Sequence, residues 1–365
     1  MDLQRGHAVK PFRVLALTRY GRMGASSRLR ILQFLPWLED AGISCTVQPL
    51  FTDEMLYSKY QTGGYKLSHM LCIYMKRVRQ LLQREKYDLL WIQKEALPWL
   101  PAWFERALLR GVPYVLDYDD ALFHHYDLHP FALVRGLFGR RIDSLMAGAR
   151  LVVCGNDYLA QRARDAGASW VEVVPTVIDL ARYAVKPSAG AQAAVPRIVW
   201  IGSPSTVQYL AGLSAPLAAL ARCFPFKLRV IGGQLDMAGV NVECVGWSED
   251  SEVGSIAACE IGIMPLADSP WERGKCGYKL IQYMACGLPV VASPIGVNTK
   301  IVDEGVNGFL AGGPDDWVGK LGQLLGDAAL RQTMGQAGCR RVEEEYCVQQ
   351  VAPRLVDLLR SAGNK

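Results

Sequence analysis

At 365 residues, half of them hydrophobic and 21% charged, the chain has an ordinary globular composition and enough length for two cores. The net charge of +5 comes from residues 1–180, where 23 Lys and Arg face 18 Asp and Glu, while residues 181–365 balance at 17 each. That excess is too small to argue for nucleic acid and suits at most an anionic membrane face, and the ten cysteines form neither a C-x-x-C pair nor a cluster with His, which points to a reducing compartment without structural zinc.

Met1 to Pro11 lacks the apolar core of a signal peptide. Phe12 to Thr18 alternates as a first strand, and Tyr20 to Arg30 (YGRMGASSRLR) follows as a glycine loop, with Ser26 or Ser27 as the cap of a helix over Leu29–Ala41. A loop between first strand and first helix lies at the carboxyl edge of a parallel sheet, where ligands bind, so Gly24, Ser26 and Arg28 are candidate ligand contacts. For Arg28 a solvated place at the helix start is the alternative. Ile43 to Leu50 is a second strand. Leu67 to Lys86 is an amphipathic basic helix with Met70, Leu71, Ile73, Tyr74, Val78, Leu81 and Leu82 on one side and Lys76, Arg77, Arg79, Arg84 and Lys86 on the other. It reads either as an interfacial helix on anionic lipid or as a core-packed helix with a solvated basic face. Phe131 to Met146 is a second stretch of this kind.

Tyr87 to Gln93 is a third strand and Val112 to Asp120 (VPYVLDYDD) a fourth, ending in Asp117, Asp119 and Asp120. Three acids at a strand end admit three readings: close like charges raise a pKa and make a general acid or base, the group binds a divalent metal, or Asp120 caps the next helix. Leu151 to Cys154 is a strand, and Gly155 to Ala166 a helix capped by Asn156 or Asp157. Lys186 to Ala194 (KPSAGAQAA) has linker composition. No run of about 18 uninterrupted apolar residues occurs, so no transmembrane helix is expected.

The second half opens with RIVWIG over 197–202, then SPSTVQYL with a helix beginning near Ser205 or Thr206. The turn at Gly202 and Ser203 is phosphate-accepting in character. Strands follow at Phe226–Gly233, closing on Gly232 and Gly233, and at Val242–Gly246. Ile256 to Leu266 runs into the next loop. Trp247 follows its strand, where a packed indole is the usual finding. From Trp271 to Ala311 the pattern is loop, helix, turn, strand, loop and helix. Gly274 and Gly277 let backbone N–H groups approach a ligand, Tyr278 to Cys286 is a helix, and Leu288 to Ala292 a strand buried on both faces. Lys275 and Lys279 add two cations at the positive end of that helix, so Lys275, Gly277, Tyr278 and Lys279 read as an anion site; an ordinary α/β unit with solvated lysines is the alternative. Helices are expected over Asp315–Leu325, Ala328–Tyr346 and Val351–Ser361.

The stretches KLIQYMACGLPVVASPIG (279–296) and IVDEGVNGFLA (301–311) resemble the nucleotide-binding region of family 4 (group 1) glycosyltransferases. The resemblance implies the GT-B fold: an α/β protein of two Rossmann-like doubly wound domains facing a central cleft. The expected organisation is an acceptor domain over 1–180, a linker over 181–195, a donor domain over 196–347, and a C-terminal helix over 348–365 crossing back to the first domain. Family members carry two Glu residues separated by seven; here Gly274 and Gln282 stand at those positions, Gln282 can still hydrogen-bond a ribose, and Glu272 lies two residues from Gly274. VEVVPTVIDLARY (171–183) resembles the family's entry into the linker, with Pro175 and Asp179 matching and Thr176 and Val177 departing. The resemblance also implies that the first glycine loop closes over donor phosphates or acceptor. It places Asp119, with His124 and His125 nearby, where the family often has a His beside the anomeric carbon, so Asp119 or Asp120 is the candidate catalytic group. Many relatives have a Lys or Arg soon after the Gly202 position; its absence shifts the pyrophosphate onto Lys275, Lys279 and backbone amides.

The expected function is transfer of a sugar from a nucleotide-sugar donor to a saccharide acceptor, lipid-linked in the family's usual setting of surface polysaccharide assembly. The family retains anomeric configuration and uses neither metal nor cofactor. The expected location is cytoplasmic, with a peripheral place on the inner membrane face as one option and no nucleic-acid partner. Two other readings are a nucleotide-sugar-binding partner subunit without activity, which the missing Glu pair supports, and a sugar-nucleotide epimerase or sugar-phosphate synthase on the same fold. No G-x-G-x-x-G follows either opening strand, which disfavours a dehydrogenase.

Overall fold

The computed structural model describes residues 11–62, 64, 67–183 and 195–364. It divides into two compact units: one runs to Val174 and resumes at Ala352, the other spans Pro175–Val351. The sequence expected the first boundary at residue 180; most of its linker, residues 184–194, lies outside the described residues.

The first unit holds six parallel strands, β1 (Phe12–Tyr20), β2 (Ile43–Phe51), β3 (Leu89–Gln93), β4 (Tyr114–Tyr118), β5 (Leu151–Cys154) and β6 (Val171–Val173), in the order β2-β1-β3-β4-β5-β6. Helices cover both faces, so β3, β4 and β5 are buried throughout; β5 is wholly apolar, and β3 and β4 are apolar apart from Gln93 and Asp117. The second unit holds β7 (Arg197–Ile201), β8 (Lys227–Ile231), β9 (Val242–Val245), β10 (Ile261–Met264), β11 (Val290–Ala292) and β12 (Gly308–Leu310), all parallel, in the order β12-β11-β10-β7-β8-β9. Alternation along β7 sends Val199 and Ile201 to a core with Leu280, Tyr283 and Met284, and Ile198 and Trp200 to the opposite core with Trp317 and Leu321. In each sheet the chain leaves the middle in both directions. The reversal falls between β1 and β3 in one sheet and between β7 and β10 in the other, and the carboxyl ends of these strands are where doubly wound folds take ligands.

Several helices differ from the sequence expectation. The span Leu29–Ala41 is not one helix: an α-helix over Ala25–Arg30 ends at Ile31 (φ −123°), a 3₁₀ turn covers Leu32–Phe34, and a second helix runs Leu35–Asp40 from Pro36 in its first turn. Gly24, not Ser26 or Ser27, is its N-cap, because the Ser27 hydroxyl is drawn inward to Gln93 at 2.7 Å. The basic helix runs Leu67–Leu82. Arg77 does not belong to its solvated face: it is buried over the sheet, donates to the carbonyls of Thr18 and Gln48 at 3.1 and 3.0 Å, and burial pulls its pKa down to about 10. Leu71, Met75 and Leu82 of this helix are exposed instead. The second basic stretch divides into Ala132–Phe138 and Arg141–Gly148, and Arg141 is buried against Glu105 at 2.6 Å. The last helix spans Val348–Gly363. From Ala352 on it belongs to the first unit, where Arg354 pairs with Glu172 at 2.5 Å and a side chain at Gly363 would stand 2.2 Å from the Phe12 ring. Among the described residues no helix is long and apolar enough to cross a membrane.

Candidate active site

In the first unit the strand ends at the point of reversal converge. Gln93 closes β3, and its side-chain oxygen accepts from Ser27 and from the backbone N–H of Arg19 at the end of β1. The next residue, Lys94, has φ +66°, a left-handed conformation costly for a side-chain-bearing residue, and such strain gathers at functional positions. The turn brings the Lys94 ammonium, almost wholly buried, to 3.0 Å from Asp119 and 2.5 Å from Asp120, just past β4. Burial alone would lower the Lys94 pKa; the two carboxylates raise it. Asp119 is held below the usual carboxylate range although burial opposes this, because Lys94, the Ser26 hydroxyl and Arg30 favour the charged form. Asp120 Oδ1 is buried and accepts no hydrogen bond among the described residues. Beneath this cluster Arg30 grips Asp117 through two bonds of 2.7 and 3.1 Å, and burial still raises the Asp117 pKa. Glu95, raised by burial, lies against Arg141 at 3.4 Å and Arg19 at 3.3 Å and accepts from Tyr126.

The structure thus brings Ser26, Asp119 and Asp120 together. It answers the carboxylates with Lys94 rather than leaving them as mutually repelling acids. Lys94 went unremarked in the sequence because its partners lie 25 and 26 positions away and its backbone turn has no signature in QKEALP. Arg28 is not a solvated residue: it is buried and donates to the carbonyl of Arg22 at 3.0 Å. Gly24 is needed where it is, since a Cβ there would stand 2.4 Å from Tyr20 Cβ. His124 is fixed by Asp127 at 2.7 Å and Tyr158 at 2.8 Å.

In the second unit the turn after β7 carries Gly202 and Ser203, followed by a 3₁₀ turn over Pro204–Thr206 and a helix over Val207–Ala211, so the α-helix begins just after the Ser205 or Thr206 expected from the sequence. Gly232, at φ +79°, closes β8 beside it; a Cβ there would meet Gly202 O at 2.6 Å, and one at Gly233 would meet Val207 at 2.4 Å, so these glycines let the β7 and β8 ends approach. Across this edge Gly277 is the N-cap of the Tyr278–Ala285 helix at φ +66° and, without a side chain, makes no cap hydrogen bond to the first turn. A Cβ at Gly277 would stand 2.2 Å from Ile301 Cδ1. Lys279 extends over the Trp200 ring, Nζ 4.6 Å from its centroid, and Lys275 over Trp271 at 5.1 Å. Lys279 is partly buried, and among the described residues no carboxylate pairs with it. Burial first, then the charge of Lys275, pushes its pKa down to about 7. A cation held in that state gains most from an arriving anion.

Gln282 is buried and donates to Tyr183 Oη at 3.0 Å; Tyr183 and Trp247 Nε1 both donate to Glu252, at 3.1 and 2.6 Å. Trp247 is therefore anchored by its indole N–H. Glu272, the nearest carboxylate to Gly274, is buried and already accepts from the hydroxyls of Tyr209 and Ser269.

Residues 10–177 match the model of the "Glycosyl transferase 4-like domain" and residues 195–327 that of "Glycosyl transferases group 1". The chain belongs to the group 1 glycosyltransferases. Among curated group relatives, an uncharacterized glycosyltransferase of Methanocaldococcus jannaschii is 30% identical over 114 residues, covering 30% of this chain and 31% of that protein. A D-inositol 3-phosphate glycosyltransferase of Arthrobacter is 24% identical over 316 residues, covering 74% of this chain and 70% of that protein. The chain thus spans about a third of the first relative and more of the second. Among solved structures, sucrose-phosphate synthase from Thermosynechococcus elongatus superposes with a TM-score of 0.71 at 16% identity over 96% of this chain and 98% of that one. Anabaena HepE, in complex with UDP and glucose, gives 0.69 at 19% over 96% and 100%. At such identities the likeness speaks for the fold, which is the two-domain α/β GT-B fold of these transferases.

Proposed function

We propose that the protein moves a sugar from a nucleoside-diphosphate sugar to a hydroxyl of a saccharide acceptor, with the second unit holding the donor and the first the acceptor. The observation that carries this reading is the uncapped, Gly277-started helix with Lys279 laid across Trp200 and lacking a carboxylate partner among the described residues. A diphosphate placed there meets the amides of the first turn, the positive helix end and two ammonium groups. The same groups stabilise the charge that grows on the β-phosphate as the glycosidic bond breaks. Gly202, Ser203, Gly232 and Gly233 form the wall that lets phosphates and base approach backbone, and Gln282 offers its side-chain carbonyl to the ribose. HepE, a structural neighbour, has been solved with UDP-glucose, which supports a donor of this class.

On the acceptor side Gly24 and Arg28 shape the loop, and Ser26 belongs to the hydrogen-bonded cluster that orients Asp119. A carboxylate held low is a weak general base and a good acceptor of a hydrogen bond, so Asp119 orients the incoming hydroxyl and Asp120 receives its proton. The new bond joins the acceptor oxygen to the anomeric carbon on the same face from which the nucleoside diphosphate leaves. In line with the family resemblance, the transfer proceeds with retention, needs no metal, and serves surface polysaccharide assembly on a lipid-linked acceptor at a cytoplasmic membrane face. Exposed Leu71, Met75 and Leu82 beside Lys76 and Arg79 support a peripheral membrane contact.

The test is a panel of nucleotide sugars screened by thermal shift on the full chain, followed by release of nucleoside diphosphate with a saccharide acceptor. Stabilisation by one donor and acceptor-dependent release support the proposal; no shift with any donor overturns it. The absence of both family Glu residues favours one second reading, a donor-binding partner subunit. It predicts the same thermal shift with no release of nucleoside diphosphate.

A further inference from the structure

The amino edge of the first sheet holds a cavity that sugar transfer does not use. Gly111–Pro113 lead into β4 and Ala149–Arg150 into β5, and around these two entries and the end of the Ala102–Leu109 helix lies a space of about 650 Å³. β4 separates it from Asp119 and Asp120 by its own length, about 17 Å for five residues. A smaller space of about 370 Å³ shares Pro113 and Arg150 with it and is bounded by Ala362 and Gly363 at the end of the last helix and by Asn364 beyond it.

Three arginines line the larger cavity, Arg106, Arg110 and Arg150, and no Asp or Glu does. Elsewhere in this unit Arg13, Arg19, Arg30, Arg141 and Arg162 each have a carboxylate, and Arg77, Arg84 and Arg135 are held by backbone carbonyls; among the described residues the three exposed arginines of the cavity have no carboxylate. Arg106 is held in place by its bond to Ser144 Oγ at 3.2 Å, and the Arg110 carbonyl accepts from Arg84 Nε at 2.6 Å, bringing a fourth guanidinium close. Gly148 keeps the floor clear: a Cβ there would stand 2.5 Å from Tyr114 Oη and 3.4 Å from Arg106 Nε. Trp103, 71% exposed, stands on the lining as an apolar plate, with the Phe104 ring edge-on to it at 5.8 Å. Like charges facing one concave space without counter-charge disfavour the empty state, and planar guanidinium forks fit phosphate oxygens two at a time.

We propose that this cavity binds a phosphate-bearing ligand, with the three arginines on the phosphate and Trp103 on the adjoining apolar part. A soluble phosphate ester and an anionic phospholipid headgroup share that chemistry. The inference does not rest on the transferase reading, because the site lies at the opposite sheet edge and uses none of its residues.

The full chain is tested for sedimentation with vesicles of phosphatidylcholine containing phosphatidylglycerol, and for binding of glycerol 3-phosphate by calorimetry. The variant R106Q/R110Q/R150Q is expected to weaken one of these by about a hundredfold, at roughly tenfold or less per cation near an anionic surface, while UDP binding stays as in the wild type. Ser169→Glu, which adds a carboxylate to the lining and removes no arginine, is expected to weaken the same binding and guards against a triple variant that does not fold. Loss of vesicle binding identifies the lipid source; loss of glycerol 3-phosphate binding alone identifies the soluble one. The proposal is overturned if wild type binds neither probe, or if vesicle binding survives in both variants and disappears instead in K76Q/R79Q/R140Q on the basic helices.

Discussion

Lys279 makes the affinity for a diphosphate depend on pH in a calculable way. In the unliganded protein burial and Lys275 hold its pKa at about 7, against about 10.4 for a free lysine. A bound diphosphate beside the ammonium restores the charged form, so above pH 7 binding must take up one proton. The charged fraction falls from about one half at pH 7 to about one hundredth at pH 9, and the affinity for UDP should fall with it, about 50-fold across that window. UDP itself contributes little there, since a phosphate's second ionisation lies near about 6. The same depressed pKa sets a sign for stability. Between about pH 7 and 10 the unfolded chain binds more protons than the folded one, so the unliganded protein should gain stability as pH rises through that range. Calorimetry with UDP at several pH values in two buffers of different ionisation enthalpy gives both affinity and protons taken up. Lys279→Met should bind weakly and lose the slope. An affinity that changes by less than about threefold over the window, or a Lys279→Met protein with wild-type affinity, refutes the reasoning.

Asp120→Asn should lower acceptor-dependent turnover by about 10²–10⁴-fold, the usual worth of a proton-transfer group, with UDP affinity unchanged in calorimetry; Asp119→Asn, which keeps an orienting oxygen, should cost less. Lys94→Met leaves two largely buried carboxylates without their cation, and because both keep some solvent the loss should fall near about 3 kcal/mol, the low end for a broken buried pair. For a unit the size of the first that is a drop of about 6–12 °C in its Tm, read by calorimetry. Gly277→Ala places a methyl group 2.2 Å from Ile301 Cδ1 at φ +66°; a stability loss of at least about 2 kcal/mol in denaturant titration, with weakened UDP binding, is expected.

The architecture was legible because its signals are local. The Val-rich run ahead of Ala292, the glycines after β7 and β8, and the apolar spacing from Leu280 to Met284 each declare a strand, a turn or a helix within a few residues. The buried cations were not. Arg77 falls among polar positions of its helix by periodicity, yet that position faces carbonyls of β1 and β2, which only the fold brings there. Arg30 and Asp117 are 87 positions apart, and Lys279 meets Trp200 across 79. In the candidate site the sequence supplied the lysines, the glycines and the Asp cluster; it could not supply the Lys94 turn or the engagement of Gln282 and Glu272 by Tyr183, Tyr209 and Ser269. These facts depend on which strand ends meet.

The central claim is that a diphosphate rests on the first turn of the Tyr278–Ala285 helix. Amide hydrogen exchange of the full chain with and without saturating UDP measures this directly. Slowed exchange is predicted to be confined to peptides spanning Gly274 to Gln282 and the turns at Gly202–Ser203 and Gly232–Gly233, with loss of that protection in Lys279→Met. Protection elsewhere with those peptides unchanged contradicts it.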